Sequence, residues 1–211
     1  MRTYALKSQL MKSVVIILLA CLLYCNAYPQ NKYFEKLYKW EAVQELRKVM
    51  LLENEMIFAG NAKPETDDWY GQVYVTGNFG DTLATQNLSN PYGYMGFVDF
   101  VQLGNFFFFT GNMTKPIGGD TFQTLLLTWD RNSNQANLHY VGNSDNNSVG
   151  RSIISSPDGN LIIIGHYAWQ PYAIKTDTLG NTIWEQVYEG YPLLNWLTDI
   201  IPVPNEEAYY V

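Results

Sequence analysis

Carboxylates are the commonest reactive groups in this chain, with Asp67, Asp68, Asp81, Asp99, Asp120, Asp145 and Asp199 spread along it. Two of them held about 5–10 Å apart across a glycosidic bond could supply the acid and the base or nucleophile for hydrolysis. Several fall in expected loops, where a solvated carboxylate is the simpler reading. Clamping an acidic substrate would also need converging arginines. Past residue 27 the arginines are Arg47, Arg131 and Arg151, each at a strand start or turn, and their spacing shows no convergence. The two histidines, His139 and His166, lie in different repeats. His166 follows a glycine expected to end a strand, which puts it near a rim, where an imidazole more often bonds a neighbouring loop than a metal. His-x-x-x-His pairs, Gly-x-Ser-x-Gly elbows, phosphate loops and dinucleotide fingerprints do not occur. No catalytic, metal-ligating or cofactor-binding residue is therefore assigned, and no cofactor is expected.

Asp130-Arg131-Asn132-Ser133-Asn134 has the oxygen spacing that opens a calcium loop. Gln135 stands where the sixth-position glycine belongs, and no glutamate occupies position twelve, so a polar hairpin tip is expected instead. Trp69 and Trp169 stand out because each falls in the equivalent connection between a second and a third strand, amid polar or proline-containing sequence. Rings in such loops stack on sugars or anchor protein partners, and both tryptophans are assigned to ligand binding. Most other aromatics beside connections, among them Tyr92, Tyr94, Tyr172, Tyr191 and Trp196, are expected to pack between neighbouring sheets.

The elements that position these residues repeat about every fifty residues. Met56-Ile57-Phe58-Ala59-Gly60, Phe107-Phe108-Phe109-Thr110-Gly111 and Ile162-Ile163-Ile164-Gly165 are successive copies, with glycines 51 and 54 residues apart, and Ala208-Tyr209-Tyr210-Val211 starts another. In the third copy Gly150–Ser155 reads as a first strand, Ser156–Asn160 as a tight turn and Leu161–Gly165 as a strand covered on both faces. Tyr172–Thr176 and Thr182–Tyr188 complete it. The second copy fits with Tyr94–Val101, Asn105–Gly111, Phe122–Trp129 and Gln135–Val141. The first offers Leu46–Leu52, Glu55–Gly60 and Gln72–Thr76, with no clear fourth strand, and a fourth copy opens at Leu197–Pro202. Four antiparallel strands per unit describe a blade, and the expected fold is an all-β partial β-propeller with a repeat of about fifty residues. Its blades are expected at 42–90, 94–142, 149–189 and, in part, 196–211.

Asn31–Tyr38 matches Asn181–Tyr188 at a constant offset, with Asn, Glu and Tyr identical. An outer strand at 31–38 is therefore expected to complete a last blade lying beyond Val211, closing a ring and removing a sheet edge. Three and a half blades cannot close, so a fragment of a longer chain is expected, within an incomplete propeller at 28–211.

Met11-Lys12-Ser13, the apolar run Val14–Tyr24 and Ala27 together describe a secretory signal peptide at 1–27, with Met11 an alternative start. Leu18-Leu19-Ala20-Cys21 is a looser match to a lipid-acylation site. Cleavage at Ala27 would remove both cysteines and three basic residues, taking the formal net charge of −7 further negative. Such acidity disfavours nucleic acid and anionic lipid as partners. The mature chain is expected to be secreted or displayed on the outer cell surface without a transmembrane span.

The run Lys175–Tyr188, preceded by Ser156-Pro157-Asp158-Gly159-Asn160 and Ile164-Gly165, resembles repeats of exported Bacteroidetes β-propeller proteins that end in a type IX secretion sorting domain. Tyr74-Val75-Thr76-Gly77-Asn78 is similar to propeller repeats of surface-layer proteins. The resemblance implies export and a propeller, and carries over no catalytic residue. Asp177, Gly180 and Trp184 sit where sialidase-type propellers place an Asp box, with one extra residue between Asp and Gly; a hairpin turn with a core tryptophan is expected. The function expected is a non-catalytic exported binding, adhesion or surface-scaffold module for an extracellular glycan or protein. A carbohydrate-active enzyme using paired loop carboxylates and a purely architectural spacer are the alternatives.

Overall fold

A computed structural model describes residues 43–63, 69–78, 80–115, 121–143, 145–190, 197–203 and 208–211. The expected signal peptide and the strand at Asn31–Tyr38 lie outside them, as do Asp67, Asp68, Asp120, Tyr191 and Trp196. Among the described residues every regular element is a strand, and no helix is long and apolar enough to cross a membrane.

Three four-stranded antiparallel sheets follow one another, each paired strictly in chain order. The first holds β1 (Val43–Leu51), β2 (Glu55–Lys63), β3 (Tyr70–Gly77) and β4 (Thr82–Leu88). The second holds β5 (Met95–Leu103), β6 (Phe106–Thr114), β7 (Phe122–Asp130) and β8 (Gln135–Tyr140). The third holds β9 (Ser148–Ser155), β10 (Leu161–Tyr167), β11 (Gln170–Thr176) and β12 (Thr182–Val187). A two-stranded piece, β13 (Ile201–Pro202) with β14 (Tyr209–Tyr210), ends the described chain, so the expected strand at Leu197–Pro202 forms only at its last two residues.

Period-2 alternation sorts the middle strands onto two neighbours at once. Phe107 and Phe109 of β6, with Leu125 and Leu127 of β7, pack against Ile57, Val73 and Val75 of the first sheet. Phe108 and Leu126, pointing the other way, pack against Ile153, Ile163 and Ile174 of the third. Ile162 and Ile164 then face Ile200 and Tyr209. A strand covered on both faces must be apolar throughout, which is why these segments read as unbroken apolar runs.

The repeat glycines do not end their strands. β2, β6 and β10 each run two or three residues past Gly60, Gly111 and Gly165. Each glycine instead lies opposite a β-bulge in the first strand of its sheet, where one residue has no partner in the ladder: Arg47, Val98 and Arg151. The bulge drives the first strand's backbone toward its neighbour. A Cβ on Gly60, Gly111 or Gly165 would stand 2.0, 2.0 and 1.9 Å from the carbonyl oxygens of Glu45, Gly96 and Val149. The repeat signature is thus a steric requirement for a close backbone approach.

The residue after each bulge ties one sheet to the next. Lys48 Nζ lies 2.9 Å from Asp99 Oδ1, and Asp99 Oδ2 accepts the Ser152 hydroxyl at 2.7 Å and the Ile153 N–H at 3.0 Å. Ser152 Oγ is also 3.3 Å from Asp199. Asp99 is therefore a buried residue within β5, inside the strand expected at Tyr94–Val101, and its carboxylate links sheets rather than facing solvent.

Candidate functional site

The three bulges open onto one depression of about 460 Å³. A bulge re-aims its side chain out of the ladder, and Arg47, Val98 and Arg151 all line this space. So do Asn61, Asn112 and His166, the residues that directly follow the three repeat glycines. The expectation that the arginines stay apart is overturned for Arg47 and Arg151, because the common bulge register turns both toward the same rim. Arg131 behaves differently, pairing with Glu55 across the first and second sheets.

Trp169 lines the same depression. It occupies a two-residue hairpin turn between β10 and β11, where Ala168 and Trp169 have φ of 48° and 68°. Tight hairpins demand this left-handed backbone and usually recruit Asn or Gly for it. A tryptophan there is strained, and such strain concentrates at ligand-binding positions. Its ring is about half exposed and stacks on His166 with centroids 5.6 Å apart and planes 7° from parallel. Trp69 sits just before β3, with its carbonyl accepting the Met95 N–H at 2.9 Å. Its ring is tilted against Tyr94 at 6.4 Å, and Tyr94 meets Phe122 edge-on at 5.5 Å. Tyr94 and Phe122 line the depression; Trp69 is not among the lining residues and reaches it only through Tyr94.

Asparagine side chains hold the sheets in register around this space. Asn61 Oδ1 accepts the Phe97 N–H at 2.6 Å, and Asn147 Oδ1 accepts the Phe122 N–H at 2.7 Å. A backbone N–H can only donate, which fixes the carbonyl end of each amide and reserves its NH2 for donating.

Burial, with Arg151 adding repulsion, lowers the His166 pKa from its ordinary value of 6.5 to about 4. In the unfolded chain the imidazole titrates near 6.5, so below that pH the unfolded state gains a proton that the folded state refuses. Stability therefore falls as pH is lowered from 6.5 toward 4, by about 2 kcal/mol from this group at pH 4.5. Urea unfolding at pH 7 and pH 4.5 should show a smaller acid loss in His166→Gln than in the wild type; equal losses would mean that His166 is not held neutral. Burial also lowers the Arg151 pKa, and the neighbouring Arg47 charge adds to the effect.

The remaining sequence expectations resolve into structure. Asp130 caps its own turn, accepting the Asn132 N–H at 2.9 Å and the Ser133 hydroxyl at 2.7 Å. Asp177 accepts the N–H groups of Leu179 and Asn181 at 2.9 and 2.8 Å, which makes it a turn former as expected. Trp184, expected in the core, is instead exposed on the outer strand β12. Its neighbour Glu185 does the linking, accepting the Tyr172 hydroxyl and the Asn143 N–H, both at 3.0 Å. Tyr172 is buried by that contact and packs in the core between the second and third sheets. A second depression, of about 390 Å³, is lined mainly by Leu103, Phe106, Phe108 and Leu179, and contains His139.

Nothing in the single sequence marks Asn61 or Asn112, and nothing in it brings Arg47 and Tyr94 together. The usable signal was positional: Arg47, Val98 and Arg151 precede their glycines by thirteen, thirteen and fourteen residues. No protein-family model matches the chain, and no curated protein does.

Proposed function

We propose that the three sheets are consecutive blades of a β-propeller and that the chain is an exported, non-catalytic binding module. One observation carries this reading. Six residues at two repeated positions, taken from three successive sheets, face one depression alongside a strained, half-exposed tryptophan. Guanidinium, amide and indole groups recognise ligands by charge, hydrogen bonding and stacking. The blade reading is supported by the in-order pairing, the two-faced middle strands and the links between first strands through Asp99. Export is supported by the apolar run Val14–Tyr24 ahead of Ala27.

The test is an array of glycans and extracellular proteins probed with the whole chain, followed by Trp169→Ala. Binding without turnover, weakened about tenfold or more by Trp169→Ala, is expected, since loss of a stacking ring typically removes more than 1 kcal/mol. Released sugar that vanishes with a single Asp→Asn change would establish the glycosidase alternative. No binding and no turnover would leave an architectural spacer.

A further inference from the structure

We propose that the depression at the bulge rim binds an acidic sugar, with its carboxylate on Arg47 and Arg151 and its ring against Trp169. This rests on the binding-module reading and assigns the class of ligand.

Charge comes first. The sequence carries 20 acidic against 13 basic side chains and only four arginines, yet two of those arginines line one depression. They come from first strands two sheets apart and meet only because both occupy the bulge position. Two like charges brought together where water is partly excluded repel each other, and a bound anion converts that repulsion into attraction. Arg47 and Arg151 line the depression together with Tyr94, so the two guanidinium groups share one region. The Glu45 carboxylate engages Arg47 Nη2 from its own strand, so a ligand carboxylate would compete with this exposed ion pair for Arg47 while Arg151 supplies the second charge.

Shape and the remaining lining favour a sugar over a bare anion. Trp169 offers a flat, half-exposed face buttressed by His166. Indole faces stack on the apolar C–H face of a pyranose. Asn61 and Asn147, anchored through their carbonyl oxygens, reserve NH2 groups suited to sugar hydroxyls. The volume of about 460 Å³ falls in the range of small-ligand sites.

The experiment is calorimetric titration of the whole chain with trigalacturonic acid, a hyaluronan tetrasaccharide and sialyllactose, each beside its methyl ester, with sodium acetate as the bare carboxylate. At least one acid should bind, with its ester about tenfold weaker or worse, because esterification removes only the charge. Arg47→Gln and Arg151→Gln should each weaken the acid about tenfold, and added salt should weaken it further. Trp169→Ala should weaken acid and ester alike. The Arg47 side chain is 47% exposed, so Arg47→Gln should leave the unfolding midpoint intact and keep the test valid if Arg151→Gln unfolds.

Equal binding of acid and ester, indifference to Arg47→Gln, acetate binding as tightly as any acidic sugar, or no binding by the three acids would each overturn the proposal. If neutral glycans or a protein still bind in a Trp169-dependent way, the binding-module reading survives and only the ligand class fails. If nothing on the wider array binds either, both fail.

Discussion

Gly111→Ala should destabilise the protein by about 4 kcal/mol, a large share of the stability of an ordinary domain. The added methyl would lie 2.0 Å from the Gly96 carbonyl oxygen, with the Gly96 carbonyl carbon at 3.0 Å and Phe97 Cα at 3.1 Å. All three atoms are backbone, so no rotamer change relieves the clash. β5 and β6 must separate at the Phe97–Gly111 pair, and the fully buried Phe97 moves with them. Gly77→Ala is the matched control, since its nearest neighbour would be 4.0 Å away and its backbone is not left-handed. It should fall within about 0.5 kcal/mol of the wild type. Urea unfolding of the three proteins decides the matter; a loss below about 1 kcal/mol for Gly111→Ala would show that the bulge does not bring the strands so close.

Asp99→Ala should cost about 3–5 kcal/mol, because removing one partner strands the groups it served. Ser152, the Ile153 N–H and the Phe100 N–H all donate to this carboxylate, at 2.7, 3.0 and 2.8 Å. Lys48 contributes far less, since its side chain is 45% exposed and water screens the pair. Lys48→Met should therefore cost under about 1 kcal/mol, and Asp99→Asn, which keeps one acceptor, about 2 kcal/mol. Chemical denaturation of the single and double variants separates the terms. Similar losses for Lys48→Met and Asp99→Ala would mean that the exposed ion pair, rather than the buried hydrogen bonds, joins the sheets.

Nearly all the strands were legible because their signals are local. Leu161–Tyr167 and Phe106–Thr114 announce themselves by apolar runs, and Asp158 with Gly159 and Asp177 with Gly180 by turn chemistry. β4 escaped notice because Thr82–Leu88 is an exposed outer strand that need not be apolar. The glycines resemble strand stops in the sequence because a glycine after an apolar run looks the same whether the strand ends or a neighbouring backbone presses in. The site was half legible. Trp169 betrayed itself by its setting in a connection, whereas Arg47 and Arg151 converge through a register slip that no spacing rule anticipates. Trp69 had the same credentials as Trp169 but packs behind Tyr94.

The bulge frees one residue per sheet from the rules that fix the rest. Arg47, Val98 and Arg151 differ in size and charge although the glycine facing each is the same, because a side chain outside the ladder is answerable to neither pairing nor core. Duplicating such a unit copies a frame with a blank in it. Each copy can be filled independently, so a lineage built this way can retune what its rim attracts, one letter at a time, while its hydrophobic interior stays as inherited.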